Sequence, residues 1–290
     1  MTTRTTARPT PPGRRPVSPR PAFGRLLAAE WIKLWSLRST DGVLAVGALV
    51  TLGITINSAR SNVDLISRSV AARGTDEQRL FIDPMHAAFV SEAFQILVVV
   101  ACSIGALMLS GEYGSGLIRA TFAAVPDRRA VVAAKLAVVT AVMTGYGTVI
   151  AATSFGVTQA IYHQHRIGLS IGDPGALRAV AASALLAPLG AVVGMAFGAL
   201  IRHSAGTIVA AIVTLLLVPA LFRGETYRWV AEIGNALPLT AWDALTANPA
   251  KPPPVLPKYP ETITEAWIVL GVWAAVAAAA AVTLVHRRDL

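Results

Sequence analysis

Charge is what this 290-residue sequence has least of. Only 14% of its residues are Asp, Glu, Lys or Arg, against about 25% in a soluble globular domain. Hydrophobic residues make up 54% of the chain and mean hydropathy is +0.58. So little polar surface excludes an ordinary water-exposed fold and points to a membrane protein. Cysteine is nearly absent as well. Cys102 stands alone in an apolar run, which rules out an intrachain disulfide or a thiolate metal cluster and leaves a small buried hydrophobe.

Chemical motifs are missing too. There is no GxxxxGK(S/T) phosphate loop, and the glycines of GEYGSG (Gly111 to Gly116) come without a lysine or a preceding strand pattern, so they do not cradle a nucleotide. HExxH is absent. His163 and His165 have no acid or third histidine close by, which makes them interface polarity rather than ligands. Ser154 and Ser183 lie in apolar runs without a histidine or acid to activate them, against an intramembrane hydrolase. The chain itself is expected to be no enzyme and to hold no cofactor or metal.

What is present is patterned. The formal net charge is +9, yet eight of the 25 Lys and Arg fall in the first 40 residues. That distribution sets membrane topology and leaves no basic stripe for nucleic acid. Residues 1–22 are rich in Pro, Thr and Arg without an adjoining apolar stretch and read as a disordered cytosolic tail rather than a signal peptide. Phe23 to Thr40 has helical periodicity, with Phe23, Leu27, Trp31, Leu34 and Trp35 on one stripe and Arg25, Lys33 and Ser36 elsewhere. It reads as an amphipathic helix on the membrane surface, touching lipid, before the first span; the plainer reading is the polar start of a long first span.

The fold class that follows is an all-α polytopic membrane protein with six transmembrane helices over residues 23–290. The spans fall at about 42–58, 92–110, 135–161, 180–200, 206–222 and 263–285. Arg60 to Ser91 reads as a loop with Asp83-Pro84 as a turn or helix start, and Tyr162 to Ala179 as a short loop. The fourth span carries Pro188 and small residues from Gly190 to Gly198 that permit close helix approach. Residues 223–248 read as a semi-apolar, helix-like segment, re-entrant or interfacial. Six prolines between Pro249 and Pro260 favour a stiff extended connector. With the N-terminus inside, the inner segments hold fifteen Lys and Arg in 75 residues and the outer ones ten in 91. Both termini are therefore expected in the cytosol.

Spans two to six have essentially no ionisable residue away from their ends. That argues against a proton-driven carrier, so transport would draw its energy from a partner. The surface to receive it is SGEYGSGLIRATFAAVPDRRAVVAAK, Ser110 to Lys135. There Gly114 and Gly116 permit a turn, Leu117 to Ala124 reads as a short helix, and Pro126-Asp127 stops it. Lys135 is placed to snorkel to the headgroups. Glu112 would accept backbone N–H groups or pair with Arg119 or Lys135.

That segment, AEWIKLWSLRST (Ala29 to Thr40) before the first span and ALPLTAWDAL (Ala236 to Leu245) before the last together resemble the permease subunits of ABC-2 type ABC transporters of high-GC Gram-positive bacteria. The likeness covers about residues 22–290. It implies an ABC-2 exporter-type fold in a bacterial cell membrane. It also implies a connecting helix before the first span and a coupling helix between spans two and three that docks on a separate ABC ATPase. Glu112, Tyr113, Gly116, Ile118, Arg119 and Pro126 match the loop pattern, and Glu30, Lys33, Ser36, Arg38 and Ser39 the pre-span pattern, with Trp31 alongside. A second copy or a related permease would complete the complex. ATP and magnesium would sit in the ATPase, and the cargo would be a drug, peptide, lipid or polysaccharide. The Pro-rich connector and the Arg/Pro-rich tail depart from the pattern. The alternatives are a non-transporting scaffold, immunity or sensor protein of the same fold, and a secondary carrier.

Overall fold

The computed structural model describes residues 23–36, 38–73, 82–125, 127–222, 224, 226–251 and 257–287, with the side chains of 38, 71–73, 119, 286 and 287 excepted. The expectations for the tail at 1–22, for Pro126, for most of the Pro-rich run and for the side chains of Arg38 and Arg119 lie outside the described residues.

Helix is the only regular structure among the described residues. Six helices are long and apolar enough to cross a membrane, over Ser39–Val70, Pro84–Gly114, Arg128–His163, Ala176–Ile201, Ser204–Leu221 and Ile263–Val285. The chain is a multi-pass membrane protein.

Helix α1 (Phe23–Ser36) precedes α2 (Arg38–Arg73), which contains the first span. The expected span ended at Ser58 with a loop from Arg60; instead the helix continues to Arg73. The sequence from Arg60 to Arg73 is polar but has neither Gly nor Pro. Its polarity ends the hydrocarbon-facing run without ending the helix, and Arg68 pairs with Asp64 one turn earlier at 2.6 Å. At 1.5 Å per residue, 36 residues reach ~54 Å, well beyond a core of ~30 Å.

The Asp83-Pro84 signal starts helix α3 (Pro84–Ala88). Asp83 accepts from the Met85 N–H, and proline occupies the first turn, where its missing N–H costs nothing. Helix α4 (Ser91–Gly114) completes the second span. Gly116, at φ +71°, reverses the chain into α5 (Leu117–Ala124), residue for residue the short helix expected. Asp127 then caps α6 (Arg128–His163) by accepting the Ala130 N–H. Next come α7 (Ala176–Ile201) and α8, which covers Ser204–Leu221 with a π-helical turn at Val213–Leu217. The semi-apolar segment forms two short helices, α9 (Arg228–Asn235) and α10 (Pro238–Thr246). Helix α11 (Ile263–Arg287) closes the fold.

The centre of the bundle is α7, packed on α4, α6 and α11. Its small residues do what their spacing suggested. A Cβ on Gly194 would stand 2.1 Å from the Cys102 carbonyl oxygen, and those on Gly190 and Gly198 would crowd Val98 and Ala106. The facing helix reciprocates: a Cβ on Gly105 would stand 1.9 Å from the Ala191 carbonyl oxygen. Lipid tails are as apolar as leucine, so helices in a membrane associate by close backbone approach rather than by hydrophobic expulsion. Cys102 is buried in this seam. Burial follows the same plan, at 72% of the apolar window in the fourth span and 67% in the second, against 22% in the fifth and sixth. The last two turn most of their surface to lipid or a partner.

At the end of the bundle where α4 begins, α10 is locked in by side chains. Trp242 is fully buried and its indole donates to Ser183 at 2.9 Å. Asn248 donates to Asp83 at 2.8 Å. Arg178 donates to the carbonyl oxygens of Leu245 and Ala247.

Candidate functional site: a closed ring of charge

Helix α1 is amphipathic, but its faces differ from the expected stripe. Leu34 is fully buried, Glu30 is 3% exposed, and Leu27 packs on the core. Trp31 and Trp35, 5.9 Å apart, and Ile32 point outward. The stripe divides because i, i+3, i+4 and i+7 spacing places Leu27, Glu30 and Leu34 on one side, and that is the side packed on α6. Trp31, Trp35 and Ile32 remain available to the lipid interface.

Burying Glu30 demands a cation, and α6 supplies it. Lys135 is 1% exposed, and its ammonium lies 2.5 Å from Glu30 Oε2 and 2.9 Å from Glu112 Oε1. It does not snorkel. The stem that would have carried it to the headgroups is capped by α1. The second cation is Lys33, one turn from Glu30, at 2.9 Å from Glu30 Oε1 and 3.0 Å from Glu112 Oε1. Two carboxylates and two ammoniums thus alternate in a closed ring, each ammonium touching both carboxylates, and formal charge cancels. A charge leaves water at an effective cost of several kcal/mol unless its partners are well placed. The ring meets that condition while tying together α1, the end of α4 and the start of α6. Burial works against the charge on Lys33, but the hydrogen bonds and charges of Glu30 and Glu112 outweigh it and raise its pKa above the ordinary lysine value.

Short helix α5 emerges beside this ring. Ile118 is buried and Leu117 is 59% exposed. Phe122 packs partly on the core and lies 5.3 Å beneath the Arg128 guanidinium, which pins α5 to the first turn of α6. Tyr113, in the last turn of α4, carries Arg202 over its ring at 4.9 Å. Arg202 stands in the left-handed region (φ +60°) in the turn between α7 and α8. Next to it Ser110 donates to Ser204 at 3.1 Å. The end of α4 is thus in contact with the start of α8 as well as with α1 and α6.

The structure brings Glu30, Lys33 and Glu112 together with Lys135, and sets Tyr113, Gly116 and Ile118 in the adjoining turn. Arg119 is on α5 and Arg38 opens α2. Ser36 donates back to the Lys33 carbonyl, and Ser39 is exposed. Of the partners weighed for Glu112, Lys135 is one; Lys33, from a helix 79 residues earlier, went unforeseen, as did Arg202. The legible signal was an acid on the same face as Leu27 and Leu34 in a membrane-flanking helix, which calls for a buried cation.

Chemically, the ring pairs its four charges and ties three helices together. Ser154 donates to the Ala88 carbonyl oxygen, and Ser183 accepts from Trp242. Among the described residues no group of three or more His, Cys, Asp and Glu is arranged to hold a metal. No protein-family model and no curated protein matches the chain, so a functional reading rests on these residues and their geometry.

Proposed function

We propose that this chain is the membrane-spanning permease subunit of an ATP-driven exporter, with a separate ABC ATPase supplying the energy and a second copy or related permease completing the pathway. In this reading the fold is of the ABC-2 type, α1 is the connecting helix and α5 the coupling helix. The ring end faces the cytosol of a bacterial cell, with both termini on that side. The cargo is a drug, peptide, lipid or other small amphiphile.

One observation carries the reading. Two distant motifs, each resembling the family's, meet in one buried ring directly beside an exposed short helix. A push on α5 is passed through Arg128 to α6, through the ring to α1 and α4, and through Tyr113 to Arg202. Packed cores respond to such pushes by switching between discrete arrangements rather than by yielding gradually. That is what a subunit with no energy source of its own requires.

The test is purification of the intact complex with the full chain as bait. An ATPase with a phosphate loop should copurify and hydrolyse ATP. Arg119→Glu on α5 should abolish stimulation of hydrolysis by cargo while membrane insertion stays normal. Unchanged stimulation in that variant, or an intact complex without any ATPase, overturns the reading.

A further inference from the structure

At the end of the bundle opposite the ring, α9, the segment 257–262 and the first turn of α11 enclose a cleft of about 470 Å³. Its charged walls are Arg228 and Glu232 from α9, Lys258 and Glu261 from the connector, and Glu265 from α11, with Tyr259 beside them. Nearly all are engaged. Arg228 pairs with Glu232 at 2.7 Å. Lys258 lies over the Tyr259 ring at 5.4 Å. Glu265 accepts from both the backbone N–H and the hydroxyl of Thr262 at 2.8 Å, and returns its own N–H to that hydroxyl. This is a capping box starting the last span.

Glu261 is the exception. The residue as a whole is partly exposed, but both carboxyl oxygens are shut off from water and neither has a hydrogen-bond partner among the described residues. A carboxylate held this way loses its hydration with nothing in return. Closed-off oxygens leave no room for a hydrated cation, whereas a proton needs none. The prolines and aliphatics of 252–256 bring no titratable group to the site. The segment's other described tie is slight: Asn235 donates to the Tyr259 carbonyl oxygen at 3.1 Å.

We propose that Glu261 is a proton-operated clasp: protonated, it lets the segment 257–262 stay docked between α9 and the last span, and ionised, it releases that segment and opens the cleft. Burial, and after it the neighbouring Glu265 charge, push the Glu261 carboxyl up from an ordinary 4.5 to about 7. The docked form thus holds its proton where the released form has lost it. Docking is fully favoured below about pH 4.5, weakens as pH rises to about 7, and is level above that. The undiscounted shift corresponds to about 300-fold in the docking equilibrium; water around a partly exposed residue screens this to about tenfold. The clasp is independent of any ATPase and stands or falls apart from the transport reading.

Amide hydrogen exchange of the full chain in lipid nanodiscs tests it, at pH 4 and pH 8 with times scaled for intrinsic exchange. Protection of the Tyr259, Glu261 and Thr262 amides should fall about tenfold at the higher pH. Glu261→Gln should abolish that dependence and stay at the low-pH level. Glu265→Gln should keep the fall but move its midpoint to lower pH. Wild-type protection that ignores pH, a Glu261→Gln chain that responds like the wild type, or a midpoint that Glu265→Gln leaves in place overturns the proposal.

Discussion

The two ends of this bundle treat carboxyl oxygens removed from water in opposite ways. At one end Glu30 and Glu112 each meet two ammoniums within 3.0 Å. At the other, both oxygens of Glu261 have no described partner. The same functional group serves as a rigid tie in the first setting and as a titrating one in the second. What differs is whether a cation is brought to it from another helix. A paired acid is held in place by its cations, whereas an unpaired one gives up its charge for a proton and becomes sensitive to its surroundings.

Breaking the ring should have the largest effect. Lys135→Met removes the ammonium from the side of the ring that is closed to water, where Lys135 is 1% exposed, a loss of about 3–5 kcal/mol that thermal unfolding in detergent will read. Replacing Glu30, Glu112, Lys33 and Lys135 together by neutral residues of similar size should recover most of that loss. If the single and the fourfold changes cost the same, burial of an unpaired charge is not the cause. Next in size is Lys33, whose side chain is 41% exposed; Lys33→Met should cost only about 1–2 kcal/mol because water can take its place. Its folded pKa is raised, so its contribution is complete below about 10.5 and is lost as pH climbs through the folded value. A melting temperature that declines above pH 10.5 just as steeply in Lys33→Met as in the wild type would contradict this. The smallest change is expected at the exposed Asp64–Arg68 pair, with side chains 59% and 76% exposed. Asp64→Asn should shift stability by about 0.5 kcal/mol or less, and a larger loss would mean that α2's polar extension bears on the rest of the fold.

How far each of these sites could be read in advance depends on the range of the interactions involved. Leu117–Ala124 was legible because Gly116 and Asp127 punctuate the chain locally, and the Gly190–Gly198 seam because small residues at helical spacing have one common use in membranes. Helix α2 was misjudged beyond Ser58 because hydropathy reports where hydrocarbon ends, not where hydrogen bonding ends. Lys135 was assigned to the headgroups because a lysine near a helix end normally reaches them. Only the packing of α1 across α6 removes that route.

Composition and periodicity by themselves determined that, among the described residues, six helices are long and apolar enough to cross a membrane. In hydrocarbon every backbone N–H and C=O must be paired within its own segment, and apolar runs of sufficient length leave no other choice. Which charges meet was decided by tertiary structure. Glu30 and Lys135 are 105 residues apart, and the Glu261 carboxyl has no partner among the described residues because of what α9 and α11 do not present to it. Such pairings arise from the packing of α1 across α6, a geometry no local spacing encodes.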